Sequence, residues 1–67
     1  MKEGIELLLD EIEEAGTTIP KLAAKAGIDK YVLYKRLKGQ GEWKASEITG
    51  LAKALKMTNK KRDRIFL

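Results

Sequence analysis

Between Asp29 and Gln40 the chain sets Lys30, Tyr31, Tyr34, Lys35 and Lys38 at helical spacing. If Leu33 and Leu37 point inward, a step of about 100° per residue carries Tyr31 and Lys35 to the outer face, with Val32 and Lys38 flanking it. An ammonium group on such a face can donate to guanine O6 and N7, and a tyrosine ring or a valine can pack on a thymine methyl or on sugar. Lys30 stands in the first turn, the part of a reading helix that enters a major groove. Lys30, Tyr31, Tyr34 and Lys35 are therefore the candidate base-contacting residues. A face that meets only water has no use for Tyr31, Val32 and Tyr34, so a plain solvated surface explains the row less well.

Groups suited to phosphate oxygens flank this row. Thr17, Thr18 and Lys21 surround the free amides at the start of a helix, where an anion is stabilised. Thr18 serves there as an ordinary N-cap too. Lys38, Gln40 and Lys44, with the amides opening the next helix, form a second set. The charge distribution agrees. Met1 to Ala15 holds one basic residue, Lys2, against six acidic ones: Glu3, Glu6, Asp10, Glu11, Glu13 and Glu14. From Gly16 onward thirteen basic residues stand against four acidic ones, a net +9. A chain divided in this way orients itself toward a polyanion.

Other chemistry is poorly provided for. There is no cysteine and no histidine, hence no disulfide, no thiolate or imidazole metal ligand and no neutral-pH proton shuttle. Without a glycine-rich phosphate loop or an obvious cleft in so small a domain, nothing beyond Glu and Lys side chains suggests catalysis. The expectation is a non-enzyme with no metal, no cofactor and no small-molecule ligand. No apolar run approaches the roughly 20 residues of a membrane span, and no signal peptide opens the chain. A cytoplasmic protein with no membrane partner is expected.

The elements that must hold these residues are legible as five short helices in one all-α domain, residues 1–67. Ile5, Leu8, Leu9 and Ile12 form an apolar stripe that ends at Gly16, with Leu7 opposite it. Thr17 or Thr18 caps a second helix with Pro20 in its first turn and Leu22, Ala23 and Ala26 inside; Gly27 ends it. Asp29 caps a third helix from Lys30 to Lys38, stopped by Gly39. After a loop from Gln40 to Lys44, Ile48, Leu51, Ala52 and Leu55 mark a fourth helix from Ala45 to Lys56. Thr58 caps a last short one ending in Ile65, Phe66 and Leu67. A small Ala23, a turn residue free to take positive φ at Gly27 and an apolar Ile28 meet the needs of two helices crossing closely in a helix-turn-helix.

The run Thr18-x-x-x-Leu22-Ala23-x-x-x-Gly27-Ile28, continued by Leu33-Tyr34-x-x-Leu37-x-Gly39, resembles the lambda-repressor-like family of phage and bacterial regulators, which includes Cro-type repressors. The likeness extends to the leading amphipathic helix, to Ala45-Ser46-Glu47-Ile48 and to the closing Arg62-Asp63-Arg64-Ile65-Phe66. Two positions depart from the family pattern. Arg36 stands where many members carry an apolar residue, a role that passes to Leu37. Ile19 stands where a DNA-contacting glutamine is common. The resemblance implies a sequence-specific regulator of double-stranded DNA, binding as a homodimer on a pseudo-palindromic operator. It also implies that Trp43 packs against the core, and makes the C-terminal helix the first candidate for a dimer contact. The same fold serves as a protein-interaction module in antitoxins and bridging factors, which is the alternative.

Overall fold

The computed structural model describes residues 4–67 and holds five α-helices: α1 Gly4–Ala15, α2 Ile19–Ala26, α3 Lys30–Leu37, α4 Ala45–Ala54 and α5 Asn59–Phe66. Among the described residues there is no strand. Lys2 and Glu3, which belong to the acidic leading segment, lie outside the described residues. Three of the helices start where a short polar side chain stands one residue ahead. Thr18 Oγ1 accepts the Lys21 N–H at 3.4 Å, Asp29 Oδ1 accepts the Tyr31 N–H at 2.9 Å, and Thr58 Oγ1 accepts the Lys61 N–H at 3.1 Å. Each bond satisfies an amide that has no partner inside its helix.

The α2–α3 turn is closed by backbone alone. Ile28 N–H donates to Ala23 O at 2.9 Å and Gly27 N–H to Ala24 O at 3.4 Å, with Gly27 at φ 73° and ψ 30°. This pair of bonds around a left-handed residue lets the chain leave α2 and reach the α3 cap within three residues.

Leu8, Ile12, Leu22, Ala23, Leu33, Leu51 and Ile65 are buried and form the core, so every helix contributes to it. α2 packs against α3 and α4, while α5 closes the other side against α1 and α4. The α2–α4 contact is a close one. A Cβ at Gly50 would run into the carbonyl oxygen of Ala26, so the two backbones touch where position 50 carries no side chain. The radius of gyration is 10.6 Å, as expected of a single compact body of this length.

Several expectations need correction. Leu7, placed opposite the stripe of α1, packs against the core, and Leu9, placed on the stripe, is 44% exposed. The reason is α5: Leu7 lines a groove with Lys61, Arg64 and Ile65, so the buried face of α1 is turned toward that helix. The inner face of α4 is also rotated. It runs through Glu47, Gly50, Leu51 and Ala54, whereas Ile48 lies off its centre. α3 stops at Leu37 with Lys38 as its C-cap. α4 stops at Ala54, two residues early, because Lys56 takes φ 54° and the Met57 N–H reaches back to Ala52 O at 2.8 Å. Leu67 lies beyond α5 and is 95% exposed.

Candidate nucleic-acid interface

Burial of Leu33 on one side of α3 fixes what its other side presents. Tyr31 is 65% exposed and Tyr34 40%, and the side chains of Lys30, Lys35 and Lys38 lie in solvent with them. The Lys30 ammonium sits 5.3 Å from the Tyr31 ring centroid, within reach of a cation–π attraction that steadies both groups on the surface. Val32 is half-buried and faces the start of α4 rather than the row. Thus the structure brings Lys30, Tyr31, Tyr34 and Lys35 together on one exposed face. Among the described residues, Lys35, Lys38 and Lys21 have no carboxylate within ion-pair distance.

The first flanking set lies at the start of α2. Thr18 is exposed and Lys21 follows it by one turn. Thr17 is half-buried, and its hydroxyl donates to Thr18 O at 3.5 Å. It lines a groove with Lys25 and Lys56, two cations that the sequence reading did not assign. Lys25 was detectable as the residue one helical turn after Lys21. Lys56 was not, since its approach depends on how α4 ends.

The second set is split along α3. Lys38 and Gln40 stand at its last turn, where the Gln40 N–H donates to Lys35 O at 2.9 Å. Lys44 instead shares a depression with Asp29 and Val32, at the first turn of α3 and the start of α4. An eight-residue helix is about 12 Å long, so the three residues frame the exposed row at both ends and do not form one cluster.

What joins the two ends is a pair that sequence reasoning missed. Glu47 is buried, and its Oε1 accepts from the Lys44 N–H at 3.0 Å and from Arg36 Nε at 3.2 Å. In the sequence Arg36 stands out only as a departure from an apolar pattern. Glu47, the third residue after the α4 N-cap, was readable as half of a capping box. Its second partner was not.

Trp43 packs against the core and meets Phe66 edge-on, with centroids 5.2 Å apart and planes at 76°. It therefore takes no part in the exposed row. Among the described residues no group of His, Cys, Asp or Glu could hold a metal ion, and no helix is long and apolar enough to cross a membrane. No family model, no curated protein and no solved structure matches the chain.

Proposed function

We propose that this chain is a sequence-specific regulator of transcription that binds double-stranded DNA, of the small Cro-like repressor type. In this reading α2, the turn through Gly27 and α3 form a helix-turn-helix, and α3 enters the major groove. The observation that carries it is the face of α3: two exposed tyrosines and three lysines in one row, opposite a fully buried Leu33. The groups around that face fit phosphate, with Thr18 and Lys21 on one flank and Lys38, Gln40 and Lys44 at its two ends. A domain this small covers only a few base pairs. A homodimer on a pseudo-palindromic site, with half-sites about 34–36 Å apart, gives the usual geometry for such a helix.

The two classes of contact must fail differently. Lys35→Ala and Tyr31→Ala lose roughly 1–3 kcal/mol on a site selected from random duplexes and relax the choice of base at one or two positions. Lys21→Ala and Lys44→Ala weaken all duplexes alike and flatten the salt dependence by about one ion each. Titration of each folded variant on the selected and a scrambled duplex, at several salt concentrations, reads both effects. Equal losses on both duplexes for all four variants leave only non-specific electrostatic binding.

The protein-interaction reading has one observation in its favour. Leu9 and Leu67 are exposed, and an open groove lined by Ile5, Leu8, Trp43, Ile65 and Phe66 crosses the α1–α5 side. Salt separates the two readings, because an apolar interface does not weaken steeply as salt rises. A wild type without duplex affinity even at low salt favours the interaction module.

A further inference from the structure

Arg36 lies one residue beyond Lys35 on α3, yet it is turned inward: its side chain is 14% exposed and that of its partner Glu47 is 10% exposed. The guanidinium makes two bonds in different directions. Nε donates to Glu47 Oε1 at 3.2 Å, and Nη1 donates to Gln40 O at 3.3 Å. Glu47 Oε1 in turn accepts the Lys44 N–H at 3.0 Å. One guanidinium thus grips both ends of the segment from Gln40 to Lys44, the first end directly and the second through Glu47. It also fills the space that a side chain at position 41 would need.

A buried ion pair is a poor choice if stability alone is at stake, since apolar residues of the same volume hold two helices as well or better. What a planar guanidinium and a carboxylate supply that leucines do not is direction. Here the direction set is that of the loop carrying Gln40 and Lys44 relative to α3. We propose that Arg36 and Glu47 are positioning residues for DNA recognition: they fix the spacing between the base-reading face of α3 and the phosphate-binding groups at its two ends. The inference rests on the DNA-binding reading of α3. Specific binding requires base and phosphate contacts at the same time, whereas non-specific binding requires only the phosphates. Loosening the loop therefore costs affinity for the preferred site and spares the scrambled one.

Three variants test this. Arg36→Lys keeps the charge and one bond but cannot span both acceptors. Glu47→Gln keeps an acceptor for the Lys44 N–H and loses the charge that holds Arg36. The double variant Arg36→Met with Glu47→Gln removes the charges together, leaves no unpaired buried ion and keeps that acceptor. For each, thermal unfolding, the amide chemical shifts of Gly39–Lys44 in the free protein, and the affinity for selected and scrambled duplexes are measured below the unfolding midpoint. In all three the loop amides shift and the ratio of the two affinities falls, by about tenfold in the double variant and less in Arg36→Lys. The ratio falls in the double variant even where its midpoint equals that of the wild type, which a merely structural role does not produce. A wild type that discriminates beside variants with an unchanged ratio overturns the positioning role alone. A wild type that binds no duplex overturns the DNA-binding reading, and the positioning role with it.

Discussion

Lys56 takes a left-handed φ of 54° at the end of α4 without the conformational freedom of glycine. The bonds it permits, Met57 N–H to Ala52 O at 2.8 Å and Lys56 N–H to Lys53 O at 3.2 Å, repeat the closure seen around Gly27. A residue with a Cβ costs roughly 1–2 kcal/mol in that region, while glycine gives back about 0.5–1 kcal/mol through the freedom it loses on folding. Lys56→Gly is expected to stabilise the chain by about 0.5–1 kcal/mol. Thermal unfolding followed by circular dichroism should show a rise of a few degrees, and a lower midpoint would refute the strain. Gly50→Ala acts in the opposite sense, because the obstacle is the Ala26 carbonyl, which cannot rotate away. A loss of about 1–3 kcal/mol or more is expected, read as a lower denaturant midpoint. The role of Gly27 was legible in the sequence, since an N-cap Asp29 follows it and a complete short helix precedes it. Those of Gly50 and Lys56 were not, because each depends on a neighbour that local pattern does not contain: the α2 backbone for Gly50, and for Lys56 a helix end with no glycine to announce it.

The starts of α2, α3 and α5 could be read from Thr18, Asp29 and Thr58 because a cap is a bond within three residues. Which way a helix turns its apolar side is set by distant partners, and there the sequence reading failed for Leu7 and Leu9. α5 decides that orientation. It brings Ile65 into the core, sets Phe66 on Trp43 and lets Lys61 pair with Glu11 of α1 at 3.2 Å. A 67-residue chain has about 3–10 kcal/mol of stability in total by the usual per-residue figure. Ile65→Ala should remove about 2–4 kcal/mol of that through lost burial and the cavity left behind. Trp43, the single tryptophan, reports the event directly. Its fluorescence should change in the same transition as the helical signal, at a lower denaturant concentration than in the wild type. An early fluorescence change with the helical signal intact would mean that α5 undocks alone and the core does not need it.

At the scale of the whole molecule the dominant feature is the separation of charge. That was legible from residue order alone, but the use made of it was not. α1 carries Glu6, Asp10, Glu11, Glu13 and Glu14 and no basic residue. Glu11 is engaged with Lys61, whereas Glu13 and Glu14 are exposed near the end of α1. These two carboxylates precede Thr17 and Thr18 by three to five residues, so if α3 faces DNA their field acts on the polyanion from beside the flank at the start of α2. The longest dimension is 27 Å. The Debye length is about 30 Å at 0.01 M salt and about 3 Å at 1 M, so that field spans the protein in dilute buffer and is extinguished in concentrated salt. Glu13→Gln with Glu14→Gln should therefore raise affinity a few-fold at low salt, equally on selected and scrambled duplexes, and lose the gain as salt rises. The preference between the duplexes should stay where it was, in contrast to the loss expected when the Arg36–Glu47 pair is broken. Titrations of this variant across a salt series check both statements. A gain that survives high salt, or that differs between duplexes, would show that Glu13 and Glu14 touch the nucleic acid directly and do not act through their field alone.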